Sequence, residues 1–364
     1  MDYRDTTQQI TLHAYMIPPT NLDDAYDEEL TGIDWSTLSI SAGYYTDSRV
    51  SGSLTLVNGN YIRGSFVRII AEFEDGTQQE LGTFAVSNDG GERTNGAYIQ
   101  NLELISILHT LSLDYMPDVL VLGSGSTALD AFKKTLTETG KTESSFNMKS
   151  ALNYRIANTM VLEAGKTRLS RLFELSSLSD NRLDVDGHGV ITLSQYILPD
   201  NKTPKYELDT TDERGIIKDG ISRSSTWTET PTRSVVAYDY TEGTGDDAVQ
   251  KHIYGEAWNS KADPRGYWIT DYQVVSDLNP ATKANLNSIA KANLAEKSTE
   301  QNEWTIETKF LPDLWEGDVV NLVINDDFDS YIGTRKCLVK NLDIKGYFLD
   351  MTITLKETSG GDNE

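Results

Sequence analysis

Cysteine is nearly missing from this chain of 364 residues. The one present, Cys337, cannot form a disulfide within the chain, which fits folding in a reducing compartment. Histidine is scarce too: His13, His109, His188 and His252 lie far apart. No HExxH and no paired Cys/His spacing occurs, so the usual zinc signatures are lacking. No apolar run approaches the roughly 20 residues needed to span a bilayer. The opening MDYRDTTQQITLHAYM has no basic start followed by an apolar core, so no signal peptide is expected. Positive charge is in deficit: 32 Lys and Arg face 56 Asp and Glu, a formal net charge of −24. Such a balance disfavours gripping phosphate backbones, so sequence-specific nucleic-acid binding is not expected. It leaves room for a surface past which nucleic acid slides without sticking.

Alternating strands dominate what is there. The stretch Tyr44–Val86 carries SGSLTLV, VRIIAEF and ELGTFAV. Asn58-Gly59 and Asp75-Gly76 separate these runs, the turn chemistry of antiparallel hairpins. Linked strands of this kind close into a barrel or sandwich. Gln9–Met16 and Tyr98–Ile105 read as further strands, and Ile105–Leu111 as a helical turn closing the first region. The acidic loop with Asp23, Asp24, Asp27, Glu28 and Glu29 reads as solvated surface. His109 sits among apolar residues and reads as a satisfied, partly buried side chain.

The character changes near Gly123. Ser126 is the expected cap of a helix carrying Leu129, Phe132 and Leu136, with Gly140 as its stop. Thr167 caps a second helix to about Ser179, with Leu169, Leu172 and Phe173 on one face. Arg182–Leu193 reads as a hairpin. Residues 200–215 are polar and read as a linker. Ile216–Ile221 and Ser234–Tyr240 resume strand character, and Thr241–Asp247 reads as a flexible acidic loop. Residues 252–276 are rich in aromatics. Asn279-Pro280 should start a helix ending near Ser298. Trp304–Phe310, a strand to Ile324, and a final hairpin of Lys336–Leu342 and Phe348–Leu355 follow.

Three constellations invite a chemical reading. Asp184 and Asp186 flank a glycine turn, but no glutamate stands at the twelfth position from Asp180, Asp184 or Asp186, so a turn is the better reading. Acidic pairs such as Asp184 with Asp186, or Asp326 with Asp327, lack any feature that would fix glycosidase spacing. Trp258, Tyr267 and Trp268 suggest a carbohydrate-binding module, or intersubunit contact. No Ser-His-Asp or Cys-His set is visible. No catalytic, cofactor-binding or metal-binding residue is therefore assigned, no cofactor is expected, and the chain is not read as an enzyme.

The order of these pieces resembles the baseplate hub, or tail-tip (tail-associated), family of tailed phages, related to the hubs of contractile injection machines. The resemblance rests on DSRVSGSLTLV, YIRGSFVRI and LGTFAV; on AGKTRLSRLFELSSLSDNRLDVDGHGVITL; on GIIKDGISRSSTWTETPTRSVVAY; and on KANLNSIAKANL, LPDLWEGDVVNLVI and MTITLKE. Each motif alone is a common hairpin or helix signal, and their order across nearly the whole chain carries the likeness. Longer tail-tip proteins continue into fibre or lytic regions, whereas this sequence stops just after its second strand-rich region.

The resemblance implies a mainly β fold with an α+β insertion: two tube-like β-barrel domains plus an inserted small α/β domain. The expected bounds are 1–115 for the first barrel and 116–204 for the insertion. The second barrel takes 205–358 with helix 280–298 and the aromatic-rich insertion, and 359–364 form a disordered tail. Strands of barrel two are expected from about 205–245 and 300–358, with the helix packed against them. It also implies a homotrimer, expected to meet through barrel edges, whose six barrels make a pseudo-sixfold ring. Such a ring joins a hexameric tail tube to a central spike or fibre and forms a channel for genome ejection. The implied partners are a distal tail or tail tube protein, a tape measure protein and a central spike or fibre protein. The implied location is the virion, after assembly in the host cytoplasm. The alternative is a carbohydrate-binding module of a tail or cell-surface assembly.

Overall fold

The computed structural model describes residues 9–19, 22, 28–138, 146–150, 155, 159–177, 181–211, 216–225, 231–242, 249–258, 268–275, 282–297, 302–325 and 332–358. Two compact units are present: Met1–Ile221 with Thr305–Leu355, and Ser222–Trp304 with Lys356–Glu364. The fold is mainly β, with a small helical share.

The first barrel is built from β1 (Ile10–Ile17), β2 (Glu28–Glu29), β3 (Ile33–Gly43), β4 (Val50–Val57), β5 (Phe66–Phe73), β6 (Gln78–Asn88), β7 (Gly91–Thr94) and β8 (Ala97–Ser106). Its strands lie in the order β3-β4-β8-β6-β5-β1. The ring closes through residues 28–43. Glu28 and Glu29 pair with Met16 and Tyr15, and Leu30 N donates to Ala14 O at 2.8 Å. Gly32 then turns the chain with a positive φ of 72°, and β3 goes on to pair with β4. The period-two pattern does what it should in β4, where Leu54 and Leu56 are buried and Ser53 and Thr55 are not. In β5 the run Val67–Ala71 is buried on both faces. The extra cover comes from the inserted hairpin described below.

One expected hairpin is absent. Asn58-Gly59 links β4 to β5, yet these strands are not neighbours. Asn58 instead exchanges bonds with Tyr98 of β8, its N–H donating to Tyr98 O and its Oδ1 accepting from Tyr98 N, each at 2.8 Å. The asparagine takes a positive φ of 52° there. The local turn chemistry is satisfied, but β8 supplies the partner. Asp75-Gly76 does make the β5–β6 hairpin, with Thr77 N donating to Asp75 Oδ1 at 2.9 Å.

The inserted subdomain follows α1 (Ile107–Thr110) and contains β9 (Leu120–Leu122), α2 (Ala128–Thr137), β10 (Phe146–Ser150), β11 (Met160–Leu162), α3 (Arg168–Ser177), β12 (Asn181–Val185) and β13 (Ile191–Gln195). It is an internal repeat. VLGSGSTAL from Val121 and VLEAGKTRL from Val161 share VLxxGxTxL at a spacing of 40 residues. Thr127 and Thr167 cap the two helices alike, accepting from Asp130 N and Ser170 N. β9 and β11 pair about Val121·Val161, and the bridges Tyr115·Thr167 and Thr127·Arg155 exchange under the same shift. The pattern is a pseudo-twofold axis through the strand pair. Thr127 is the cap, one residue beyond the expected Ser126. Gly140 lies outside the described residues.

The remaining elements are β14 (Tyr206–Asp209), β15 (Ile217–Ser225), β16 (Arg233–Glu242), β17 (Val249–Trp258), β18 (Thr270–Val275), α4 (Lys283–Lys297), β19 (Asn302–Thr308), β20 (Val319–Ile324), β21 (Gly333–Lys345) and β22 (Asp350–Glu357). Six of them continue the large sheet in the order β15-β19-β22-β21, with β21 next to β20 and β20 next to β14. Numbered by rank along the chain, both sets of six read second, third, sixth, fifth, fourth, first. One arrangement of strands is thus used twice. Among the described pairings, β14 departs from the pattern: it runs parallel to β20 where β1 runs antiparallel to β5. The two sets join where Asn341–Lys345 of β21 pair with Gly43–Ser39 of β3. The stretch expected as a linker holds β14, whose Leu208 is buried.

In the second unit, β17-β16-β18 form a separate three-stranded sheet. β16 therefore does not join the second set of strands, as the 205–245 expectation had it. α4 packs on this sheet through Leu286 and Ala290 against Val236, not on the strands expected. Close approach needs Gly255: a Cβ there would lie 2.3 Å from Asn287 N. The helix begins after Thr282, whose Oγ1 accepts from Asn285 N; Asn279 and Pro280 lie outside the described residues.

Candidate assembly surfaces and the buried charge cluster

The candidate residues named from the sequence do not converge in space among the described residues, where no group of three or more His, Cys, Asp or Glu could hold a metal ion. Asp184 is engaged by Arg182 Nε at 2.8 Å. Asp186 Oδ1 accepts from Val190 N at 2.8 Å, closing the hairpin turn. Cys337 is buried in β21, and His109 is half-buried in α1. Asp326, Asp327, Tyr267, Asp23, Asp24, Asp27, residues 243–247 and the tail 359–364 lie outside the described residues.

The structure does gather charge where the inserted hairpin meets the large sheet. At the hairpin tip, the fully covered Arg68 donates to Thr83 Oγ1 at 2.9 Å, to Leu22 O at 2.7 Å and to His188 O at 3.0 Å. Thr83 Oγ1 donates to Gly187 O at 2.8 Å, and His188 Nε2 stands 2.9 Å from Glu80 Oε2. Burial pushes the Glu80 and Asp186 carboxyls above their ordinary range. Beside them lies a cavity of about 330 Å³, lined by Glu80, Phe84, Ser106, Asp186, Asp313 and Trp315 among others.

The second group is deeper. Arg182 Nη2 donates to Glu316 Oε1 at 2.7 Å, and its guanidinium sits 4.0 Å from the Tyr44 ring centroid. Arg49 donates to Leu183 O at 3.3 and 3.2 Å and to Tyr44 O. The Glu316 side chain is 1% exposed, and among the described residues its Oε2 has no hydrogen-bond partner. Burial, with the nearby Asp184 charge, pushes the Glu316 carboxyl up to about 8, against the opposing pull of Arg182 and Arg49. Sequence reading misses this cluster because its members come from three segments far apart in the chain. The only local hint is a charged Glu316 between apolar Leu314 and Val319.

Trp258 and Trp268 do come together, edge to face at 5.2 Å with an interplanar angle of 79°. Arg233 lies 5.2 and 5.5 Å from their ring centroids. The two indoles therefore do not form one flat platform of the kind on which a sugar ring stacks.

The expected trimer contact lies between barrel edges. β1 pairs with β5 along its whole length, and on its other side β2 covers it at Tyr15 and Met16. β7 has one neighbour, β8. β14 and β15 likewise have one each among the described residues.

No protein-family model matches the sequence, and no curated protein does. Solved structures do match. A tail protein from Neisseria meningitidis MC58 superposes with a TM-score of 0.67 at 15% identity, covering 96% of each chain. The prophage MuSo2 43 kDa tail protein from Shewanella oneidensis gives 0.65 at 11%, covering 97% of this chain and all of that one. A chain of the Francisella PdpA–VgrG complex gives 0.56 at 11%, covering 99% of this chain and 59% of that one. The chain has the fold shared by these phage tail proteins and this VgrG complex chain.

Proposed function

We propose that this chain, which has the fold of phage tail proteins, is a structural component of a phage tail tip or baseplate: a trimeric hub that joins a hexameric tail tube to a central spike or fibre. The observation that carries the reading is the repeated strand order. Six strands in one arrangement occur twice, side by side, in one continuous sheet. Three such chains present six equivalent modules, so a threefold object can match a sixfold one. The end-to-end likeness to tail proteins supports the same reading. The partners are then a distal tail or tail tube protein, a tape measure protein and a spike or fibre, with the protein residing in the virion after assembly in the host cytoplasm. The charge of −24 suits a channel through which DNA passes without sticking. The proposed role calls for no catalytic chemistry.

Native mass spectrometry at several protein concentrations tests the assembly. Three copies of the 40.5 kDa chain are expected. A mass of one chain at every concentration up to micromolar overturns the hub reading.

A further inference from the structure

The three-stranded sheet of the second unit has two unlike faces. α4 covers one, which carries Ser234, Val236 and Tyr238 of the central strand. The other is open. The pairings place Trp258, Arg233 and Thr270 in one row across it, then Glu256, Val235 and Tyr272, then Tyr254, Ala237 and Val274, and finally His252 and Asp239. Trp268 leads into β18 beside the first row and packs on Trp258.

At the centre of this face Val235 and Ala237 are 8% and 0% exposed, roofed by their large neighbours. The neighbours themselves are bare: Tyr254 is 47% exposed, Trp258 46%, Trp268 70% and Tyr272 58%. With about 200 Å² per aromatic side chain, these fractions leave on the order of 450 Å² of aromatic surface in one patch. A typical monomer's largest apolar patch is about this size and is often functional. A stable contact buries roughly 800 Å² per partner, about 65% of it apolar at the core. The patch is therefore the right size for the core of one such contact. Its composition of Trp, Tyr and a stacked Arg is that of binding hot spots.

Charge indicates which partner. A copy carrying −24 meets another copy favourably only through surface free of that excess. This face carries little of that excess. Arg233 lies 4.0 Å from Glu256, and the Asp239 carboxylate stands 2.6 Å from His252 Nδ1. Arg233 is further fixed by its bond to Thr270 Oγ1 at 2.7 Å, so its guanidinium is held in place before any partner arrives.

We propose that the open face of the β17-β16-β18 sheet is a subunit contact, covered by a second copy of this chain. The assignment rests on the trimeric reading above and names a surface that builds the trimer. A tryptophan at the centre of such a contact contributes enough that its loss weakens association by roughly 30-fold or more.

The test uses the full chain. Trp268→Ala and Tyr272→Ala are made singly and together, with Trp268→Phe as the conservative variant and Phe348→Ser as a control at an exposed aromatic outside this sheet. Native mass is read against concentration, and hydroxyl-radical footprinting reads oxidation at Trp268 and Tyr272. Wild type, Trp268→Phe and Phe348→Ser are expected to be trimeric, with Trp268 and Tyr272 of wild type protected in the trimer and oxidised on dilution to single chains. The alanine variants are expected to need at least 30-fold more protein to assemble, with unchanged circular dichroism. Trimers that survive the double substitution, or a trimer in which Trp268 oxidises as fast as in the single chain, overturn the assignment and leave the trimeric reading standing. A wild type that is monomeric at all concentrations overturns both.

Discussion

Glu316→Gln separates the burial of one carboxyl from the pairing that surrounds it. Glu316 has a folded-state pKa raised to about 8 from the ordinary 4.5. A carboxyl raised in this way contributes stability below its unfolded value, and the contribution is lost as pH climbs from about 4.5 to about 8. At about 1.4 kcal/mol per unit, that gap sets a ceiling of roughly 5 kcal/mol on the cost of ionising Glu316 in place. The pull of the two guanidiniums is already contained in that gap; relaxation around the ionised carboxylate lowers the figure, and a few kcal/mol is the working expectation. Glutamine keeps the acceptor for Arg182 Nη2 and cannot ionise. The variant should therefore match wild type below about pH 4.5 and exceed it increasingly from there to about pH 8, above which the lead levels off. Urea unfolding at pH 5.5, 7 and 9, with hydrogen exchange at residues 181–195 and 314–320 to localise the effect, reads this directly. A stability difference that stays constant across pH, or one favouring wild type at pH 9, would show that Arg182 and Arg49 outweigh burial and that Glu316 is ionised throughout.

Other outcomes follow from single contacts. Arg182→Ala leaves Asp184 and Glu316 without their shared partner and should cost about 3 kcal/mol or more, read from the urea midpoint at neutral pH. Gly255→Val forces α4 off β17, since the new Cβ meets the Asn287 backbone at 2.3 Å. Limited proteolysis should then cut within 249–297 of this variant while leaving wild type intact. Leu56→Ala empties a fully buried site in the first barrel and should cost about 2–5 kcal/mol by thermal or chemical unfolding. Calcium or zinc added to chelator-treated protein should leave Tm unchanged. A rise that vanishes in Asp184→Ala and Asp186→Ala would assign that turn to a metal instead.

Much of the strand content is legible because half-buried strands write their period into the sequence. SGSLTLV in β4, WTIET in β19 and the closing hairpin all show it. Partnering is less legible. Asn58-Gly59 has hairpin chemistry, but the asparagine pairs with Tyr98, forty residues away, and no local rule encodes that choice. β14 is hidden because a four-residue parallel strand with one buried leucine is too short for a pattern. The 40-residue repeat of VLxxGxTxL is visible in the sequence, but its meaning emerges only with the fold. Its identical positions are the strand pair, the turn glycine, the helix cap and one helix-face leucine. The placement of α4 needs the close approach at Gly255, which a lone glycine in a strand hints at only weakly. The Glu316 cluster cannot be read at all, since Tyr44, Arg182 and Glu316 meet only once the fold exists.

One six-strand arrangement, used twice per chain, imitates sixfold symmetry in a trimer if the proposed hub role is right. Electron cryo-microscopy of the purified assembly tests this most directly. The expected result is a threefold ring in which the two six-strand sets of each chain are related by a rotation of about 60° about the ring axis. A ring of any other copy number, or a trimer whose two sets stand at unrelated angles to the axis, contradicts it.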